Sequence, residues 1–235
     1  MYNAIRKFIW KADETVNQIA AVVPIKLNNE RLPGKNTKNL CGKPLLYYVQ
    51  ELLLSEPRLS GRYVFCSSDD VKQYLLPHIT YVKRPAYLDR PTSNFTQIFE
   101  EFMNLIPADI YVYAHATAPY IEDSTLKECL DGVLSGEYDS AFCASRIQDY
   151  LWCNKEPLNF DAANLPRSQD LTPIYRETSG IYVFRKEVFL ETHRRIGKKP
   201  LIKEVTYREA IDINTKEDFD LAEALANLPE IWQRE

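Results

Sequence analysis

The sequence predicts an α/β fold of three layers, in which a mostly parallel sheet carries helices on both faces. Short apolar runs that suit strands alternate with stretches of helical periodicity. Several of those runs end in polar loops, where open α/β sheets bind ligands. A length of 235 residues suits one large domain, or one domain with a small accessory piece.

Residues 1–19 stand apart as an N-terminal extension. Ile5, Phe8, Ile9, Ala12, Val16 and Ile19 partly follow a helical period, so an extra helix is expected, with a frayed leader as the alternative. Val22, Val23 and Ile25 read as a buried parallel strand, although so short a run fits helix as well by periodicity alone. Leu45, Leu46, Val49, Leu52 and Leu53 share one helical face, with Pro44 suited to the first turn. Residues 63–66 make the next strand, a short helix follows Ser67-Ser68-Asp69-Asp70, and residues 79–82 make a third strand. Phe95, Ile98, Phe99, Phe102 and Met103 repeat at the spacing of an amphipathic helix.

Residues 109–114 are expected as a strand, Leu126, Cys129, Leu130, Val133 and Leu134 as a helix, and residues 140–145 as a strand. From 147 to 176 the periodicity weakens and aromatics and prolines accumulate, marking an excursion from the sheet. Residues 181–184 resume the strand pattern, 188–193 are helical, and 202–206 and 210–213 suggest late strands. Thr215 caps a last helix carrying Phe219, Leu221, Ala222, Leu225 and Leu228. Residues 20–235 thus form a single Rossmann-like domain.

The net charge of -4 argues against a general nucleic-acid binder, whose affinity comes from neutralising phosphates. No run reaches the length of a membrane span and the N-terminus lacks the order of a secretory signal, so a cytoplasmic protein is expected. Cys41, Cys66, Cys129, Cys143 and Cys153 form no C-x-x-C pair and read as reduced thiols.

The densest chemical signal is Val22 to Asn36, VVPIKLNNERLPGKN, where an apolar run stops in a loop of cations and amides. Lys26, Arg31 and Lys35 supply positive charge, Asn28, Asn29 and Asn36 supply amide donors, and Pro33-Gly34 imposes a turn that exposes backbone N–H groups. This composition suits a polyphosphate; a solvated basic loop between strand and helix is the alternative. The run R-L-P-G-K-N, followed by G-K-P-L at residues 42–45, resembles the N-terminal signature of the acylneuraminate cytidylyltransferase family, which makes CMP-activated sialic acids. A sister group acting on 3-deoxy-manno-octulosonate commonly has proline after R-L-P-G-K, so Asn36 favours the first group. The resemblance extends at lower specificity over about residues 20–227.

That resemblance implies transfer of CMP from CTP to a small acidic sugar, with Mg²⁺ as cofactor and a homodimer as the assembly. It implies catalytic roles for Lys35, Arg31 and Asp212, with Lys35 on the α-phosphate; Lys26 stands where relatives usually carry arginine. Leu27, Asn28, Asn29 and Asn36 frame the nucleotide. Ser67 and Asp69 belong to a run resembling the family's S-T-D, and Arg84 to one resembling R-P-x-x-L. The competing accounts are an N-cap cluster at Ser67–Asp70 and a surface arginine fixed by Pro85. Pro91 replaces an aspartate usual in relatives.

Where relatives read Q-P-T-S-P-L-R, this chain has His115-Ala116-Thr117-Ala118-Pro119-Tyr120-Ile121, so His115 and Thr117 are candidate contacts to the sugar. A satisfied structural histidine is the alternative. Arg167, Arg176 and Thr178 resemble the family's arginine-bearing segment and its F-R-x-N-G-x-I-Y. Arginine suits a sugar carboxylate because its planar fork can pair with both oxygens, while ion pairs with Glu177 or Asp170 are the alternative.

Residues 210–215, A-I-D-I-N-T, resemble I-D-I-D-T, which implies a metal at Asp212 and Asn214, with helix opening by Asp212 and Thr215 as the competing role. The excursion at 147–176, with Tyr150, Trp152 and Phe160, is expected to build the dimer; a flap over its own site is the alternative. A glycosyltransferase-like enzyme using Ser68-Asp69-Asp70 as a metal motif, and a nucleotide-binding homologue without turnover, are the rival functions. As an exposed loop cation, Lys35 is expected to contribute little to stability.

Overall fold

The structure is a computed structural model, and it describes residues 17–228. The helix expected in the N-terminal extension lies outside those residues, up to residue 16. In chain order the elements are β1 (Ile19–Pro24), β2 (Asn39–Leu40), β3 (Lys43–Pro44), α1 (Leu45–Ser55), β4 (Gly61–Cys66), β5 (Thr80–Lys83), α2 (Phe95–Leu105) and β6 (Ile110–Ala114). They continue as α3 (Asp123–Leu134), β7 (Ser140–Ile147), β8 (Trp152–Cys153), β9 (Glu156–Pro157), β10 (Ile174–Arg185), α4 (Lys186–Thr192), β11 (Pro200–Glu204) and α5 (Lys216–Ala226).

Seven strands form the main sheet in the order β11-β7-β10-β6-β1-β4-β5. Pairs β1–β4, β1–β6, β4–β5 and β7–β11 are parallel, and β10 runs antiparallel to both β6 and β7. Successive side chains of β1 point to opposite faces, which divides the core. Ile19, Ala21 and Val23 pack with Leu46, Val49 and Leu53 of α1 and Leu126, Cys129 and Leu130 of α3. Ala20 and Val22 pack with Phe99 and Phe102 of α2 and Val188 and Phe189 of α4. Helices therefore cover both faces, as expected.

Helix α2 opens on a capping box, in which Asn94 and Gln97 satisfy each other's backbone N–H groups. Phe99 and Phe102 are fully buried, so truncating either to alanine should cost about 3–5 kcal/mol. Thr215 caps α5 through the N–H of Asp218, as the sequence indicated. Cys66, Cys129 and Cys143 are buried, and Cys41 and Cys153 are exposed, all as free thiols.

Four local expectations change. The segment at 210–213 is irregular rather than a strand, because the carbonyl of Ile213 accepts from Lys35 and its N–H donates to Thr117, leaving no ladder to join. Pro44 lies in β3 with ψ 141°, just before the helix rather than inside its first turn. Cys41 and Gly42, with φ 49° and 96°, close the β2–β3 hairpin, which periodicity cannot detect in strands of two residues. The short helix after Ser68 is a 3₁₀ segment, Asp69–Tyr74.

The excursion contains the β8–β9 hairpin and is inserted between Ile147 and Ile174, which pair at one end of the β7–β10 ladder; the ladder's register shift lies further along, between Glu177 and Tyr182. Helix α5 packs on Leu32, Leu40 and Leu45 through Phe219 and Ala222, joining the chain's last described helix to the loop after β1. No helix among the described residues is long and apolar enough to cross a membrane.

Candidate active site

After β1 the chain adds β4 and β5 on one side, then returns to place β6 on the other. A crevice at the carboxyl ends of β1 and β6 follows from that reversal. A cavity of about 280 Å³ opens there, lined by Ile25, Lys26, Asn29, Lys35, Asn36, Arg84, Asp89, His115 and Thr117 among others. The strand-end motifs at Lys26–Asn36, Arg84 and His115–Thr117 thus meet in one place.

Gly34 takes the left-handed conformation, φ 65°, and turns Lys35–Thr37 into a short 3₁₀ segment. Lys35 and Asn36 are consequently buried, whereas Asn28 and Arg31 are exposed and Leu27 packs partly on the core. The Asn36 side-chain amide donates to the Lys26 carbonyl at 2.9 Å, closing the loop on its own strand. Lys35 Nζ donates to the carbonyl of Ile213 at 2.6 Å and lies 3.5 Å from Asn214 Oδ1. Burial pushes the pKa of Lys35 down; Asp212 opposes this and Arg31 adds to it. Lys26 Nζ stands 3.9 Å from Glu30 and 3.4 Å from the Asp89 carbonyl. A second cavity of about 270 Å³, lined by Lys26, Asn29, Arg31, Lys35 and Asn214, lies along the same loop.

Arg84 is buried and pairs with one carboxylate oxygen of Asp89, whose other oxygen accepts from the Ser67 hydroxyl. Ser67 and Arg84 therefore meet over Asp89, a residue the motif reading missed. Its signal was its position in R-P-A-Y-L-D, five residues after Arg84. Asp69 is not brought to the crevice: it is exposed and holds Lys72 and Lys83 at 2.8 and 2.7 Å, while Ser68 caps the 3₁₀ segment. Two lysines engage the Asp69 carboxylate on the exposed surface, outside the lining of the crevice.

The His115 ring lies 5.2 Å from that of Tyr113 and 6.0 Å from that of Tyr182. Burial, with Arg195 next in weight, pushes its pKa down to about 4, so the ring is neutral at pH 7. Its Nε2 is buried without a partner, as are Asn29 Oδ1 and Arg84 Nε. These are three of the four such side-chain atoms among the described residues, and all three belong to residues lining the crevice. Native proteins leave few buried polar atoms unpaired, so this concentration marks a place prepared for a polar ligand.

A larger cavity of about 650 Å³ is lined by Arg176, Glu177, Thr178, Tyr207, Arg208, Asp212, Asp218, Leu221 and Leu225 among others. Thr178 donates its hydroxyl to the Cys143 carbonyl at 3.0 Å, and Arg176 Nε donates to Ser145 at 3.1 Å. Arg167 is exposed, pairs with Asp170 at 2.7 Å and lines neither cavity. The loop before Asp212 is held by Glu209, a buried carboxylate that accepts from Glu122 N, Thr125 Oγ1, Thr206 N and Thr206 Oγ1. Nothing in its sequence neighbourhood distinguishes Glu209 from a surface acid.

Asp212 and Asn214 do not present two oxygens together. Asn214 Oδ1 accepts from Arg31 at 2.7 Å, and its Nδ2 donates to Asp212 Oδ2 at 2.7 Å. No group of three or more His, Cys, Asp or Glu residues able to hold a metal occurs among the described residues. Asp212 would offer a divalent cation one carboxylate oxygen, its Oδ2 being engaged by Asn214.

The sequence profile of the family described as Cytidylyltransferase matches residues 20–234. The chain is 25% identical over 215 residues to N-acylneuraminate cytidylyltransferase of Oncorhynchus mykiss, covering 87% of this chain and 49% of that protein. It therefore spans about half the length of that relative. It is also 25% identical over 223 residues to pseudaminic acid cytidylyltransferase of Campylobacter jejuni, covering 87% and 94% of the two chains. In fold it resembles a CMP:2-keto-3-deoxy-manno-octonic acid synthetase complexed with CTP, at TM-score 0.67 and 19% identity, over 89% of this chain and 98% of that one.

Proposed function

The chain belongs to the cytidylyltransferase family, and from that premise we propose that it transfers CMP from CTP to the anomeric hydroxyl of a sialic-acid-like 2-keto-3-deoxy sugar acid. The observation that carries this reading is the crevice itself, where the buried Lys35 stands beside unpartnered Arg84 Nε, Asn29 Oδ1 and His115 Nε2. A ligand with a polyanionic tail and a base edge offering both donors and acceptors satisfies that set; CTP has both.

In the reaction the hydroxyl oxygen bonds to the α-phosphorus as its proton passes to solvent, and the bond from the α-phosphorus to the oxygen it shares with the β-phosphate breaks, its electron pair leaving with pyrophosphate. Lys35 takes the α-phosphate, Arg31 and Lys26 the outer phosphates, and the catalytic gain comes from position and charge compensation. Asp212 would hold Mg²⁺, which would supply further charge compensation when bound. The acceptor occupies the larger cavity, where Arg176, Thr178 and Arg208 suit a carboxylate and hydroxyl groups, while His115 and Thr117, expected at the sugar, line the nucleotide crevice instead.

The protein acts as a homodimer built through the excursion, where Trp152, Leu158 and Leu165 expose large apolar surfaces. Its exposed free thiols, Cys41 and Cys153, suit the reducing cytoplasm. Pyrophosphate release tests the activity, with CTP, Mg²⁺ and a panel of sialic, legionaminic, pseudaminic and octulosonic acids. Release that requires one of the acids is expected. CTP binding with no release for any acid would favour a homologue without turnover.

A further inference from the structure

We propose that the Asn214 side-chain amide makes triphosphate affinity independent of a divalent metal, by holding Arg31 and Lys35 beside the crevice while withholding one oxygen of Asp212. The inference rests on the nucleotidyl-transfer reading and concerns how its charges are divided.

The amide is engaged at both ends. Asn214 Oδ1 accepts from Arg31 Nη2 at 2.7 Å and lies 3.5 Å from Lys35 Nζ; Nδ2 donates to Asp212 Oδ2 at 2.7 Å. Its backbone is fixed as well, since the N–H groups of Asn214 and Thr215 both donate to Asp218 Oδ2 at 2.8 Å. The partners settle the orientation of the amide: reversed, its NH₂ would face two cations and its oxygen a carboxylate. An amide accepts from cations through one atom and donates to a carboxylate through the other without carrying charge at any pH, which an aspartate in its ionised form cannot do.

A carboxylate at this position would act differently in two respects. It would set like charge against Asp212 at the distance now spanned by a hydrogen bond. It would also hold Arg31 and Lys35 in charge-assisted pairs that an incoming triphosphate must break. The neutral amide orients both cations and leaves their charge uncompensated at that oxygen. Lys35 keeps a second hold on the Ile213 carbonyl, so it is placed before any ligand arrives. Asp212 keeps its other oxygen, which would be the one available to a divalent cation, so that such an ion would add charge compensation for transfer rather than for binding.

The test is calorimetric titration of the full chain with CTP, in EDTA and in Mg²⁺, for the wild type, Asn214→Asp and Asn214→Ala. The wild-type affinity should differ by less than about threefold between the two conditions, well under the tenfold that one strong interaction supplies. Asn214→Asp should bind about tenfold more weakly in EDTA and recover with Mg²⁺. Asn214→Ala should weaken in both. Wild-type binding that needs Mg²⁺, or Asn214→Asp binding like the wild type in EDTA, would overturn the inference while leaving the transfer reaction standing. No CTP binding by the wild type in either condition would overturn the reaction and the inference together. The wild-type pair of titrations decides even if a variant fails to fold.

Discussion

The ammonium of Lys35 donates a 2.6 Å hydrogen bond to the carbonyl of Ile213, a residue 178 positions further along the chain. One contact thus joins the loop after β1 to the segment that enters α5, and both bear on the same crevice. The cation is buried and bonded, so the expectation that it matters little to stability is corrected: removing it leaves a buried carbonyl without its donor.

Lys35→Ala should therefore show two effects. Turnover should fall by about 10²–10³-fold, as when a principal charge-stabilising donor is removed. Stability in urea should fall by about 1–2 kcal/mol, the usual cost of an orphaned buried polar group. Steady-state pyrophosphate release and an equilibrium urea curve on one preparation check both, and near-normal turnover would refute the role given to Lys35.

Asp89→Ala should destabilise more than Lys35→Ala. It would leave Arg84, 3% exposed, as a buried charge without its partner, and it would free Ser67 as well. Breaking such a pair costs about 3–5 kcal/mol. Thermal unfolding checks this, and a melting temperature within a degree or so of wild type would contradict the arrangement.

His115 should make stability depend on acidity. Its pKa is pushed down to about 4 in the folded protein from 6.5, by burial first and Arg195 second, with Asp212 and Glu177 opposing and Lys35 adding. Between those values the unfolded chain binds the proton and the folded chain does not, so stability is lost as pH falls from 6.5 toward 4 and levels off below. The loss should be on the order of 2 kcal/mol, discounted for the ring's partial access to solvent. His115→Gln should flatten that part of the curve; an unchanged slope would show that other groups cause it.

Trp152 and Leu165, 60% and 62% exposed, dominate the apolar surface of the excursion. Sedimentation equilibrium should give a dimeric mass for the wild type, and Trp152→Asp combined with Leu165→Asp should shift it toward the monomer. A monomeric wild type at working concentration would rule out the assembly.

What the sequence revealed and concealed follows from the range of the interactions. The β1 loop, α2 and α5 were legible because periodicity and caps are local: Phe95, Ile98, Phe99 and Phe102 repeat along one helical face, and Thr215 caps Asp218 within one turn. The convergence of Lys35, Arg84 and His115 was legible because each follows a strand, and strand ends share an edge of the sheet. Side-chain partners were not legible. Asp69 and Arg167 match motifs yet turn to Lys72, Lys83 and Asp170, while Asp89 and Glu209 match none yet hold the site together. The resemblance at residues 210–215 implied paired oxygens at Asp212 and Asn214, but Lys35 binds the Ile213 carbonyl and Arg31 claims the Asn214 oxygen.

A crystal structure of the protein with CTP tests the central claim most directly. The triphosphate should lie along the turn from Lys26 to Asn36, with α-phosphate oxygens within hydrogen-bond distance of Lys35 Nζ and the base beside Arg84 and Asn29. A nucleotide bound elsewhere, with that turn and its lysine untouched, would contradict the account.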